Sequence, residues 1–168
     1  MSVKKLGGLD LSITAPGAAW TGAAGEVETR LIKPVGNGDY RLTSIRAQIL
    51  EVVTGAEMVL IEGYLNKSMT AGITGMVHGA VREGLIQAGL PYATFPPASL
   101  KKYATGSGGA SKTDMALAAY KRGGIEFTND NECDAWWLWV AVNDWTGSPV
   151  FVLPKVQRDS LTKIKMEV

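Results

Sequence analysis

The sequence has one cysteine, Cys133, and one histidine, His78, in 168 residues. A lone cysteine excludes an internal disulfide, and with so few Cys and His ligands a structural zinc cluster is excluded as well. No apolar run is long enough to cross a bilayer. The opening MSVKKLGGLD carries two lysines but no apolar h-region, so a secretory signal is not expected. Net charge is missing too, at +1. There is no internal repeat and no linker. The expectation is one domain working in a reducing cytoplasm, with no membrane association.

What remains is 46% hydrophobic and 20% charged, enough apolar material for a real core. The near-zero charge hides local structure. Between residues 101 and 122, Lys101, Lys102, Lys112, Lys121 and Arg122 stand against Asp114 alone, a surplus of four. A basic stretch offset by acids elsewhere leaves a nucleic-acid partner open.

Leu6 to Ile13 reads as a strand, followed by strands over Ala18 to Gly22 and Glu28 to Lys33 with Gly-rich turns between them. This predicts an antiparallel meander. Helical spacing of Ile45, Ile49, Val52 and Val53 predicts a helix over 43–53, capped by Thr43 or Ser44. Glu57 to Glu62 reads as a buried parallel strand ending in an acid. A glycine-loosened helix over 70–89 follows, then a short strand, Tyr92 to Phe95. A helix begins near Ser99, residues 106–111 form a flexible loop, and Ser111 caps a helix through Lys121. The last helix runs from about Asn131 to Asp144. The tail over 148–168 holds one strand-like apolar stretch and mixed basic residues. Three strands first, then alternating helix and strand, predict an α/β fold with a mixed sheet.

Three carboxylates lie in apolar surroundings. Asp10 interrupts the first strand, Glu62 ends the buried one, and Asp134 sits among Cys133, Ala135, Trp136 and Trp137 on the last helix. A charge in such a place is costly unless something pairs with it. Converging carboxylates repel unless a cation lies between them. Hard oxygen donors without a His or Cys set suit Mg²⁺, with Mn²⁺ as substitute. Two such ions, roughly 3.5–4 Å apart, clamp the attacking and leaving oxygens of a phosphodiester. The other chemistry-bearing residues read blandly. His78 reads as a residue of a packing or a surface face, the tryptophans of the last helix as core or interface, and Cys133 as a small buried side chain. Gly106 to Ser111 lacks the G-x-x-x-x-G-K-[ST] spacing of a nucleotide loop.

Four segments together carry a resemblance. GLDLSITAPGAAW, VLIEGY, LKKYATGSGGASK and NDNECDAWWLWVA resemble, in this order, the RuvC family of Holliday-junction resolvases, among the RNase H-like nucleases, and its phage-borne members in particular. The resemblance implies an RNase H-like nuclease domain over 1–147 and a C-terminal strand and tail over 148–168. It implies a homodimeric, metal-dependent endonuclease that resolves four-way junctions and related branched DNA, leaving a 5′-phosphate and a 3′-hydroxyl. It places the chain in a bacterial or phage-infected cytoplasm.

Carried over by position, Asp10, Glu62 and Asp134 are the metal ligands, and the resemblance implies two Mg²⁺ ions per site. The family has a fourth acid or a His three residues before the last Asp, where this chain has Asn131. Asn131 and Asp130 both share the face of Asp134, and either fills the fourth place; Asp130 also reads as an N-cap. Lys101 and Lys112 fall where the family places lysines that support catalysis and grip phosphate. Tyr64, Leu65, Lys67, Lys102 and Ser107 join them as DNA contacts. Tyr64 either stacks on bases or packs under the long helix. Two other readings stand beside this one. A catalytically impaired DNA-binding relative is compatible with Asn131. An actin-like phosphotransferase shares the first-strand Asp, but the chain has neither the second phosphate motif nor a second lobe.

Overall fold

A computed structural model of the chain describes residues 3–64 and 69–168. Its sheet has six strands: β1 (Leu6–Asp10), β2 (Gly17–Thr21), β3 (Val27–Leu31), β4 (Met58–Glu62), β5 (Tyr92–Phe95) and β6 (Lys165–Met166). Their order is β3-β2-β1-β4-β5-β6. β1, β2 and β3 form the antiparallel meander, β4 and β5 run parallel to β1, and β6 closes the edge antiparallel to β5. The apolar run of β4 suits a strand covered on both faces, whereas half-exposed, alternating β3 suits an edge.

Helices cover both faces. α1 (Asp39–Val53) and α2 (Ala71–Gln87) pack on one side through Ile45, Ile49, Val77, Val81 and Leu85. α3 (Pro97–Thr105), α4 (Lys112–Gly123) and α5 (Asp130–Trp145) cover the other around Trp136 and Trp137. The buried tryptophans are core, as their apolar setting predicts. Trp137 donates its indole N–H to the Met115 carbonyl, 3.1 Å, and Trp139 donates to Thr21 Oγ1, 3.0 Å. Ser111 caps α4 in a reciprocal box with Asp114.

Three expectations need correction. β1 ends at Asp10 and not at Ile13, so Asp10 closes the strand instead of interrupting it. α1 begins at Asp39, one turn before Thr43, with Gly38 rather than Thr43 or Ser44 at the cap position. Tyr40 and Arg41 there add no buried apolar contact, so periodicity missed the first turn. In the tail, the apolar stretch 148–153 forms no strand. The tail instead holds a short helix, α6 (Lys155–Arg158), a 3-10 turn (Asp159–Lys163) and β6. Leu153 and Leu161 enter the core beside α5. The Arg158 guanidinium forks onto the buried Asp144 carboxylate, with Nη2 at 2.6 Å, and the Tyr103 hydroxyl donates to the same carboxylate at 3.1 Å. Such a bidentate pair ties the tail to both α3 and α5.

The feature that positions the site is the crossing of α5 over β1 and β2. Side chains alternate along a strand, so Leu6, Gly8 and Asp10 face α5, while Gly7 and Leu9 face α1. A methyl group on Gly8 would collide with the Ala135 carbonyl oxygen and the Trp139 amide nitrogen; one on Gly17 would collide with the Asn131 carbonyl. Both glycines are required because the helix backbone lies directly on the sheet. A methyl on Gly7 would meet side-chain atoms alone, Val53 Cγ1 at 3.1 Å and Val59 Cγ2 at 3.6 Å, with no backbone atom in its way. Gly8→Ala should therefore destabilise the protein by about 3 kcal/mol or more, a fall in melting temperature of at least ~6 °C. Gly7→Ala should cost less than half as much. Thermal unfolding of the two variants checks the contrast.

Candidate metal centre

The sheet register builds the site. β1 pairs with β4 so that Gly8 lies beside Leu60 and Leu9 beside Ile61. The next step places Asp10 and Glu62 together at the carboxyl ends of adjacent parallel strands. Leu60 belongs to the α5-side core, so Glu62, two residues on, faces α5 as Asp10 does. α5 supplies the third acid. Asp134 lies one turn before Leu138, whose Cβ sits over Gly8. A carboxylate oxygen from each of Asp10, Glu62 and Asp134 lies within 4.8 Å of the others. No other such group of three His, Cys, Asp or Glu occurs among the described residues.

Asp10 is only 9% exposed, and Glu62 and Asp134 are half-buried. Burial, reinforced by the Asp134 charge, pushes Asp10 up from 3.8 to about 7. Burial likewise pushes Asp134 to about 6, although Lys112 pulls it back. Glu62 rises well above the usual carboxylate range, by burial first and then by the charges of Asp10 and Asp134. Three acids raised together describe a site that holds more negative charge than the protein alone neutralises. The donor set is all carboxylate, compact and buried, and fits a hard divalent cation.

Two lysines lie within electrostatic reach. Half-buried Lys101 on α3 lowers Glu62 and Asp134, and Lys112 at the start of α4 lowers Asp10 and Asp134. Lys112 Nζ also sits 2.7 Å from Asp130 Oδ2. Asp130 is thus paired with a lysine and lies outside the three-carboxylate cluster. It is not the N-cap: Asn129 fills that place, its Oδ1 accepting the N–H groups of Asn131 and Glu132. Asn131 donates its side-chain amide to the Ala15 carbonyl at 2.7 Å. Glu132 points away toward β3, where Thr29 donates to it. Lys102 and Ser107 are exposed, with Gly106 at φ +90° ending α3 between them. Leu65 and Lys67 lie outside the described residues.

A cavity of about 230 Å³ adjoins the acids, lined by Asp10, Glu62, Leu11, Tyr64, His78 and Pro97 among others. The Tyr64 ring packs on His78 of α2, 4.7 Å between centroids, and remains 39% exposed. The packing alternative is realised while one part of the ring stays open. Of the packing and surface alternatives for His78 the structure takes packing: it is buried, and burial holds it near 4, so it is neutral at physiological pH. Sequence reasoning missed Leu11, Thr74 and Pro97 as lining residues, since none carries a chemical signal. A larger cavity, about 480 Å³, lies between α3 and α4 beside Lys121 and Arg122, and holds none of the three acids.

The acids make metal-free stability pH-dependent. Their folded values lie above their unfolded ones, so between about pH 4 and 7 the folded chain holds more protons than the unfolded chain. Stability without metal must fall as pH rises through that window. In EDTA the melting temperature should drop by several degrees from pH 4.5 to 8, and Mn²⁺ should restore much of the loss at pH 8. Asp10→Asn should melt above wild type at pH 8 in EDTA and lose most of the Mn²⁺ response. A flat EDTA profile would contradict the electrostatic reading.

No protein-family model and no curated protein matches the chain. Solved structures do. The RuvC structure of Thermus thermophilus is 21% identical with a TM-score of 0.67, and the match covers 97% of this chain and 99% of that one. T. thermophilus RuvC in complex with Holliday junction substrate is 20% identical with a TM-score of 0.70, covering 98% and 99%. With the mixed sheet and its helical layers, this likeness establishes that the chain has the RNase H-like fold of RuvC over nearly its whole length.

Proposed function

We propose that this protein is a divalent-metal-dependent endodeoxyribonuclease that resolves Holliday junctions and related branched DNA as a homodimer. One observation carries the reading: Asp10, Glu62 and Asp134, far apart in sequence, meet in a compact, partly buried cluster. They do so in a fold shared with a RuvC structure that is described with junction substrate. Asp10, Glu62 and Asp134 would hold Mg²⁺ or Mn²⁺, with Asn131 adjoining on the same helix face. Bound cations would activate water and stabilise charge on the scissile phosphodiester.

The remaining roles belong to the chain itself. Lys101 and Lys112 supply positive charge beside the acids and offset charge that develops on the phosphate. Lys102, Ser107 and the loop after α3 contact the backbone of a DNA arm. Tyr64, with its ring braced on His78, offers its open part to a base near the junction centre, with Leu65 and Lys67 following it. No helix among the described residues is long and apolar enough to cross a membrane.

The dimer reading rests on α2. Ile73 and Met76 are about half exposed on it, and Gly72 and Gly79 have open space where a side chain would stand. Such a face allows a second helix to approach closely. A two-fold dimer then presents two sites to the paired strands of a four-way junction.

Labelled four-way junctions and matched linear duplex test the reading. Wild type with Mg²⁺ or Mn²⁺ should cut the junction on paired strands and spare the duplex. EDTA or Asp10→Asn should abolish cutting, and Lys112→Met should slow it about 10²-fold. Junction binding without cleavage under either metal would favour a binding relative with Asn131 as its lesion. Met76→Glu should shift sedimentation from dimer to monomer and convert paired cuts into single nicks.

A further inference from the structure

Asp130 has an unusual position. It is the first residue of α5, one turn before Asp134. Capping is already done by the Asn129 side chain, so Asp130 is not needed there. Its neighbours are anchored: Asn131 donates to Ala15 at 2.7 Å, and Glu132 accepts from Thr29. The Asp130 carboxylate therefore stands on a fixed backbone. It does not join the three-acid cluster, and its partner is Lys112 Nζ at 2.7 Å.

Lys112 is also out of place by helix rules. It is the first residue of α4, where the helix dipole disfavours a cation. The capping box of Ser111 and Asp114 holds that end without it. A lysine there has four rotatable bonds, and its side chain is 70% exposed. Left alone, its ammonium would sample solvent. Its partner is the Asp130 carboxylate, and from there its charge acts on both Asp10 and Asp134.

We infer that Asp130 is a positioning residue that holds the Lys112 ammonium beside the acidic cluster, ready for a phosphate, and is not itself a metal ligand. The inference rests on the proposed nuclease reading for its kinetic consequence, but the pairing is measurable without it. Charge on Asp130 keeps Lys112 near the site, and an incoming phosphate oxygen accepts a hydrogen bond from one of the three ammonium N–H groups.

Four proteins test it: wild type, Asp130→Asn, Lys112→Met and the double variant. Junction cleavage by Asp130→Asn should lose about tenfold in kcat with KM little changed, and the loss should vanish in the Lys112→Met background. Asp130→Glu, which keeps the charge, should retain most of the rate. The number of Mn²⁺ ions bound without DNA should match wild type, with affinity lowered only modestly by the loss of one nearby charge. Loss of a bound Mn²⁺ ion in Asp130→Asn would make it a ligand and overturn the inference. So would an equal loss in the Lys112→Met background, or a rate that is unchanged or raised. If wild type cuts no junction, the nuclease reading fails on its own. ¹⁵N NMR of the Lys112 ammonium then decides: slowed proton exchange lost in Asp130→Asn supports the pairing, and equal exchange in both overturns it.

Discussion

Everything at the site depends on how closely α5 lies on the sheet. Gly8 and Gly17 strip the side chains from β1 and β2 where the helix crosses. The helix backbone then rests on the strand backbone, and Asp134 reaches the ends of β1 and β4. A side chain at either glycine forces the helix away by the thickness of a methyl group. The tryptophans of α5 serve the same constraint from the far side, since Trp136 and Trp137 fill the space between α5, α3 and α4. The tail adds a clamp, with Arg158 holding Asp144 near the other end of the helix.

This closeness has an electrostatic cost. Three acids crowd a poorly solvated spot, and each is raised chiefly by burial. The packing that assembles the site therefore works against its own charge. Lys101 and Lys112, from α3 and α4 beside α5, relieve part of it and leave the rest for a bound cation. Metal binding and folding are coupled by this arrangement.

Much of this was legible in the sequence, and for identifiable reasons. Asp10, Glu62 and Asp134 stood out because an acid in an apolar run needs a partner, and the strand and helix spacing around them was regular. β5 was read at its full extent, and Ser111 was a strong enough cap signal to mark α4. Other features left no local trace. The Tyr103–Asp144–Arg158 network joins residues from three elements, and nothing near Asp144 announces it. The tail's helix and edge strand were hidden because 148–153 is apolar without being a strand; its Leu153 packs into the core instead. Gly8 carried no signal of its own, since the helix that requires it lies more than a hundred positions away. Asn131 and Asp130 were equivalent by helix spacing. Only their partners, Ala15 and Lys112, distinguish them.

The central claim is that the glycine-floored crossing of α5 makes one seat for a divalent cation. Diffraction from Mn²⁺-soaked crystals, recorded at the manganese edge, tests it most directly. The account predicts an anomalous peak bounded by the carboxylates of Asp10, Glu62 and Asp134, with Asp130 still on Lys112. A well-ordered cluster with no anomalous peak, its acids bonded to one another in saturating Mn²⁺, would contradict it.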